Sequence, residues 1–437
     1  MIKKLVLVFI ALFAIQSYAQ ETTSSPYSFY GIGTLKFKGS VENVSMGGLS
    51  IYKDSIHVNF RNPATYGGDN LKSFNNESRP VKFAVSASST LTNLETSTSE
   101  DRVSSTSFDY LALSIPLGKL GFGFGLLPYT AVGYRLETNN NEGNLDSRFN
   151  GEGGVNKAFL SFGYQLTEGL SVGIDANYNF GNIQNNTVQF RYNDENEPLA
   201  TQSQETNRSD LSGVSFNIGL HYQRMITNKL ELQSSFTYAP SSDITSNNER
   251  SFSNITFNAS GTEVPINTIE ADLAASGLDK TDLNLPSRLS FGAGLGQPRK
   301  WFVGVETTTQ NTSEFSNILF ENVGATFEDA STYSFGGFYI PKYNSFSSYW
   351  KRVVYRGGIR FENTGLVVEN QSIDEFGISF GVGLPVGTNR NPFSNTNIGI
   401  EIGQRGTTNA NLIQENFFKF NISLSLNDRW FQKRKFD

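Results

Sequence analysis

Apolar residues alternate with small or polar residues along the stretch LSVGIDANYNFG (residues 170–181). Successive side chains of a β-strand point to opposite faces, so this stretch predicts a strand with one apolar and one polar face. Similar runs recur at 214–223, 289–295 and 376–384. Glycines are frequent in the polar set, and small inward-facing residues leave room inside a barrel. The same glycines would leave the core of a two-sided soluble sheet unfilled. The pattern predicts an all-β protein.

Short and long connections alternate between the predicted strands. Tight turns at 118–119, 167–169 and 227–228 alternate with longer segments such as 133–154 and 241–283. Short periplasmic turns and long outer loops are typical of outer-membrane β-barrels. The sequence therefore predicts a transmembrane antiparallel β-barrel over residues 79–426, with about fourteen strands. The predicted strands are 79–92, 105–117, 120–132, 155–165, 169–192, 211–225, 229–240, 284–296, 299–310, 331–341, 350–362, 374–385, 396–405 and 416–426.

The alternative is a set of two or three soluble β-sandwich domains, which a chain of 437 residues is long enough to form. No proline-rich or charge-rich linker divides the sequence in that way. Mean hydropathy is −0.32, a value typical of soluble proteins. A barrel is compatible with that value, because only every second strand residue meets lipid.

The first nineteen residues have the pattern of a secretory signal peptide. Lys3 and Lys4 precede an apolar core from Leu5 to Ile15, and the small residues Ser17 and Ala19 stand before a predicted cleavage site. With the barrel pattern, this segment predicts the outer membrane of a Gram-negative bacterium as the location of the mature protein. Outer-membrane lipid is then an expected partner.

Composition argues against several functions. The chain has no cysteine and two histidines, so we expect no metal centre. A net charge of −6 argues against nucleic acid as a partner. The glycine-rich runs at 121–125 and 292–296 lie within predicted strands and open no helix, so they do not fit a dinucleotide fingerprint. No convergent catalytic set is visible, and we predict neither an enzyme nor a cofactor.

Two segments flank the predicted barrel. Residues 20–78 lack the strand alternation and are rich in glycine and turn residues, so we expect them to fold into the lumen as a plug or to form a periplasmic flap. Residues 427–437 form a basic tail, predicted to lie in the periplasm. There the tail either meets anionic headgroups or is simply a solvated end of the chain.

The segment before the barrel also carries a family resemblance. Met46-Gly47-Gly48, then Asp54, then Asn62-Pro63-Ala64 resemble the "MGG…D…NPA" signature of the FadL-type fatty-acid transporter superfamily. The runs SPYSFYGIG (25–33) and LNDRWF (426–431) are similar to a Bacteroidetes-type branch of outer-membrane proteins. The resemblance implies a fourteen-stranded barrel with an N-terminal hatch.

The resemblance also implies a function, namely uptake of hydrophobic small molecules such as long-chain fatty acids. The alternative is a non-transporting accessory subunit of an outer-membrane complex for protein secretion or assembly, which would have other outer-membrane proteins as partners. The candidate hatch or gating residues are Gly47, Gly48, Asp54, Asn62 and Pro63. Three lumen-facing polar candidates come from the strand pattern: Asp175, Asn177 and His221.

Overall fold

The computed structural model describes residues 23–68, 80–315, 324–387 and 394–428. The predicted signal peptide, and residues 429–437 of the predicted tail, lie outside these ranges. No helix of the described residues is long and apolar enough to cross a membrane.

The described residues are mainly β-strand. The strands are β1 (Thr34–Leu35), β2 (Val81–Glu95), β3 (Glu100–Leu117), β4 (Leu120–Pro128), β5 (Thr130–Asn139), β6 (Leu145–Gln165), β7 (Leu170–Gln189), β8 (Gln202–Met225), β9 (Glu231–Ala239), β10 (Ser242–Phe257), β11 (Glu263–Glu270), β12 (Lys280–Leu285), β13 (Arg288–Gln297), β14 (Trp301–Gln310), β15 (Ala325–Phe327), β16 (Ala330–Tyr339), β17 (Val354–Val368), β18 (Gln371–Pro385), β19 (Asn395–Arg405) and β20 (Gln414–Asp428). One short helix, α1 (Val41–Val44), lies between β1 and β2, and 3₁₀ turns lie at Pro26–Phe29, Pro63–Tyr66, Ala274–Ser276, Thr312–Glu314, Trp350–Arg352 and Asn409–Asn411.

The sheet closes into a barrel. Neighbouring strands pair antiparallel, and β20 pairs back with β2 from Val81–Asp428 to Glu95–Gln414. Four spans are interrupted and consist of two successive strands each. β4 and β5 both pair with β6, β9 and β10 both pair with β8, and β15 and β16 both pair with β17. β12 and β13 form the fourth interrupted span, because β12 pairs with β10 and β13 pairs with β9. β1 lies in the lumen, and β11 pairs only with β10 among the described strands, so neither counts as a span. The other described strands form fourteen spans, which confirms the predicted fold class.

The two faces of each span differ as the alternation predicts. On β8, Phe216, Ile218 and Leu220 are exposed on the outside, whereas Asn217 and His221 are buried inside. Apolar side chains that would be unfavourable in water are favourable against lipid, so this exterior suits a membrane. Within this belt the inward side chains are mainly small or polar, and they face residues 23–68.

Two of the long connections are largely β-strand, contrary to expectation. Residues 133–154 belong largely to β5 and β6, and residues 241–283 contain β10, β11 and part of β12. These strands extend the barrel wall beyond the apolar belt. Polar residues are frequent in them, and apolar side chains such as Ile244 and Leu283 are buried on the inside. At the other end, β20 continues to Asp428, two residues into the predicted tail.

The N-terminal segment, residues 23–68, lies in the barrel lumen. Its apolar residues pack against the wall in separate clusters, among them Ile32 with Val132 and Met46 with Phe302. Helix α1 begins with a capping box. The Ser40 side chain accepts a hydrogen bond from the Asn43 backbone amide, and the Asn43 side chain accepts one from the Ser40 backbone amide. Buried caps and turns satisfy the backbone of a segment that has little sheet pairing of its own.

Candidate functional site

The candidate site is the lumen, where the N-terminal segment meets the wall. Gly47 follows α1 with a φ of 70°, and its amide donates to Ser379 Oγ at 3.0 Å. A Cβ on Gly47 would lie 2.5 Å from the Ile359 carbonyl oxygen, so only glycine fits between the segment and the wall. Gly48 has a φ of 91°, and its carbonyl accepts from Arg61 at 2.7 Å.

Asn62 and Pro63 form a second contact with the wall. The Asn62 side chain donates to the Leu220 carbonyl at 2.9 Å and to Ser235 Oγ at 2.7 Å, and it accepts from Ala64 N at 2.9 Å. Pro63 then begins a 3₁₀ turn, a position at which its fixed φ is favourable. The turn lies against wall glycines that leave no room for a Cβ, namely Gly121, Gly163, Gly173 and Gly219. The strand glycines thus allow the backbone of the N-terminal segment to contact the wall closely, and they do not simply leave empty space in the lumen.

Asp54 organises a tight turn beside His57. Its carboxylate accepts from the backbone amides of Ile56 at 2.9 Å and His57 at 2.6 Å, and from His57 Nδ1 at 2.5 Å. Burial disfavours the charged form of Asp54, but the charge and hydrogen bonds of His57 outweigh it and hold the pKa below its ordinary value. His57 Nε2 lies 3.6 Å from Glu42 Oε1.

The three polar candidates of the strands all face inward. His221 is buried, and its Nε2 lies 3.1 Å from the Ile51 carbonyl oxygen of the N-terminal segment. Asp175 is buried and accepts from Asn217 at 2.9 Å. Asn177 lines the same central cavity as Asp175. The structure therefore brings Asp175 and Asn177 together and separates them from the Asp54 turn.

A buried ionic network, which no sequence motif marks, lies along β17 to β20. Lys38 of the N-terminal segment contacts Glu362 at 2.8 Å and Glu375 at 2.6 Å. Arg360 contacts Glu375 and, at 2.7 Å, Glu401, while further contacts extend the network to Arg405 and Glu415. Charges inside a low-dielectric wall are tolerated when they are paired. Inward-facing charges at strand positions were the signal that could have revealed it.

Two other anchors fasten the segment elsewhere on the wall. Glu306 of β14 accepts from Ser50 N at 2.8 Å and pairs with Arg61 at 2.8 Å. Glu42 accepts from Asn397 of β19 at 2.5 Å and from Ser423 of β20 at 3.3 Å. Together with Lys38 and Asn62, these contacts are distributed around the barrel.

The N-terminal segment lines two cavities, each of about 270 Å³. The central cavity has aromatic walls and several charged groups, including Lys157, Asp175 and Arg288. The second cavity opens near the short turns and is lined by Tyr52, His57 and other residues of the segment. Within the described residues, no group of three or more His, Asp or Glu side chains could hold a metal ion.

The barrel wall has a gap between β3 and β5. β3 pairs with β4 only from Leu111 to Leu117, and no pairing joins β3 to β5 among the residues described. Instead, β1 pairs with β5 at Thr130 and Ala131 from inside the lumen. Gly133 N of β5 also donates to Ser28 Oγ at 3.0 Å. The N-terminal segment therefore occupies the edge of β5 that β3 leaves open.

A closed fourteen-span barrel with a lumenal N-terminal segment has the fold of FadL-type outer-membrane barrels. Similar solved structures include the Ralstonia pickettii toluene transporter TbuX (14% identity, TM-score 0.55, covering 89% of this chain and 98% of that one). They also include the Pseudomonas putida toluene transporter TodX (14%, TM-score 0.55, 90% and 99%). A Pseudomonas aeruginosa FadL homologue aligns at 10% identity with a TM-score of 0.52, covering 89% and 98%. At these identities the likeness concerns the fold.

The family is defined by a sequence match over the whole chain. The BamG family profile matches residues 1–437, and the chain belongs to the BamG family. None of the curated proteins compared with the sequence matches it.

Proposed function

We propose that this protein is a non-transporting accessory barrel of an outer-membrane complex for protein assembly, with a lumen that stays closed. The family name, BamG, points to outer-membrane protein assembly. The observation that carries the proposal is the anchoring of the N-terminal segment on separate parts of the wall. Lys38, Glu42, Ser50 and Asn62 each contact a different group of strands. A buried hydrogen bond to a charged group contributes about 1.5–3 kcal/mol, so displacing the segment is costly.

The test of this role is the composition of the complex. We expect the tagged protein, extracted in mild detergent and purified by affinity and size exclusion, to co-elute stoichiometrically with subunits of the outer-membrane assembly machinery. Depletion of the protein should lower the amount of other barrels in the outer membrane. Purification as a lone barrel, with unchanged outer-membrane composition on depletion, would contradict the proposal.

A second candidate function is uptake of hydrophobic small molecules, and the gap between β3 and β5 favours it. The gap adjoins the N-terminal segment, and that segment also lines the aromatic central cavity. An apolar molecule entering the cavity would gain about 25 cal/mol per Å² of apolar area removed from water. Passage to the periplasm would require the N-terminal segment to move.

A disulfide between the segment and the wall distinguishes the two functions. A Cβ on Gly399 would lie 2.6 Å from Ser45 Oγ, which suits a cross-link between Ser45→Cys and Gly399→Cys. The chain has no other cysteine to compete. Under oxidising conditions the locked protein should still support assembly if the lumen is closed. Loss of labelled fatty-acid uptake in the locked protein, restored by a reductant, would instead favour the channel. Each single-cysteine variant is the control.

A further inference from the structure

The end of the barrel with the short turns carries one unusual sector. Three turns, at 226–230, 298–300 and 340–353, follow one another around the wall, because β9 pairs with β13 and β14 pairs with β16. Short turns face the periplasm in outer-membrane barrels, and both barrel ends, Val81 and Asp428, lie at this same end. The sector is therefore presented to the periplasm.

The sector is strongly basic. Segments 224–230, 297–300 and 340–353 contain seven cationic residues and no Asp or Glu. Among the described residues, Lys300, Lys342 and Lys351 form no ion pair within 4.0 Å, whereas lumenal cations such as Lys38 and Arg61 are paired. The seven cationic residues are Arg224, Lys229, Arg299, Lys300, Lys342, Lys351 and Arg352.

The same sector exposes large apolar side chains. Phe346 is 98% exposed and Trp350 is 66% exposed in the 340–353 turn. The turn is held in shape by hydrogen bonds, because Lys342 N donates to the Lys351 carbonyl at 2.7 Å and Tyr355 OH donates to the Trp350 carbonyl at 3.2 Å. An ordered turn that presents aromatic rings among cations has the composition of a protein interface hot spot.

We propose that this sector, the basic–aromatic patch, docks a periplasmic protein that presents acidic side chains around an apolar pocket for Phe346. The inference rests on the accessory role proposed above and names the chemistry of the partner. Unpaired lysines on the patch call for an acidic surface, since complementary charge guides docking and fixes its register. The chain's own tail does not fit, because residues 429–437 carry four cationic residues and one acidic residue.

The distribution of charge favours a protein over phospholipid headgroups. A bilayer surrounds the barrel, so turns that bind headgroups should be basic on every side. The turn at 118–119, however, has one cationic residue, and the turn at 166–169 has only Glu168 as a charged residue. The exposed Tyr339 and Tyr355 form a cross-strand pair at the ends of β16 and β17, where an aromatic girdle is expected. Phe346 follows seven residues beyond Tyr339, in the turn itself.

The test reverses the charge of the patch. Complexes would be purified at equal barrel content from cells with Lys300→Glu/Lys342→Glu/Lys351→Glu, with Phe346→Ala, or with Lys119→Glu as the control on another turn. We expect the first two to retain at least tenfold less assembly partner than the wild type and the control to retain as much. A photo-reactive residue in place of Phe346 should cross-link to an acidic segment of that partner. Reversing those acids to lysine should restore binding to the charge-reversed barrel.

Unchanged retention in both patch variants would overturn this inference and leave the accessory role standing, provided that the wild type co-elutes with the assembly subunits. If the wild type retains none, both proposals fail. Cross-linking at position 346 to phospholipid alone, with binding to vesicles containing anionic lipid, would also overturn it and assign the patch to the membrane surface.

Discussion

Replacing Glu306 by Gln should loosen the N-terminal segment without unfolding the barrel. Glu306 is 5% exposed, and its carboxylate holds both Ser50 and Arg61. Removing one partner of a buried pair costs about 3–5 kcal/mol. Gln retains one acceptor oxygen, and Arg61 keeps its bonds to the Gly48 carbonyl and Thr308. We therefore expect the free energy needed to release the segment to fall by the lower limit of this range, about 3 kcal/mol. The population of the released segment should then rise on the order of 100-fold.

Hydrogen exchange measures that population directly. Amides of residues 48–62 should exchange on the order of 100-fold faster in Glu306→Gln than in the wild type, whereas amides of β17 and β18 should not change. The control is Glu249→Gln, at an exposed position of β10. A change of less than about threefold in residues 48–62 would refute the view that Glu306 anchors the segment.

Further predictions concern glycine, proton binding and the imidazole contact. Gly47→Ala should increase protease cleavage within residues 48–62 more than Gly48→Ala, because a Cβ at Gly48 would meet nothing closer than Ser334 Oγ at 3.3 Å; equal cleavage would contradict this. Burial, with the charge of Lys419 adding to it, lowers the pKa of Lys36 to about 8. Competitive acylation of Lys36 should show a titration midpoint near pH 8, and Lys419→Gln should raise that midpoint. The free energy of unfolding should increase between about pH 8 and the unfolded pKa of about 10.4, because the unfolded state binds more protons there. His221→Ala should leave the buried Ile51 carbonyl without this hydrogen-bond partner and lower the midpoint of thermal unfolding. His221→Gln should recover part of that loss.

The membrane-crossing part of the fold could be predicted because lipid and lumen impose different side chains on alternate residues. The run from Val214 to Tyr222 identified a strand and its faces from sequence alone. Beyond the lipid belt polar residues are frequent and the alternation is interrupted, so the sequence predicts a loop where β10 and β11 lie. β11 runs to Glu270, and a 3₁₀ turn follows at Ala274–Ser276.

The anchors of the lumen could not be predicted, because their partners are distant in the chain. Lys38 and Glu375 are 337 residues apart, and nothing local marks either as a partner of the other. The family resemblance identified Gly47, Asn62 and Pro63, and the structure places each of them in close contact with the wall. Their roles as hatch or gate remain predictions.

The clasp of Glu42 on β19 and β20 constrains how the molecule is made. Residues 23–68 precede the strands of the wall in the chain, whereas Asn397 and Ser423, which Glu42 contacts, belong to β19 and β20. The seam that completes the cylinder, β2 with β20, joins Val81 to Asp428. The contacts of Glu42 can therefore form only once β19 and β20 are in place, and they join the N-terminal segment to the seam at which the barrel closes.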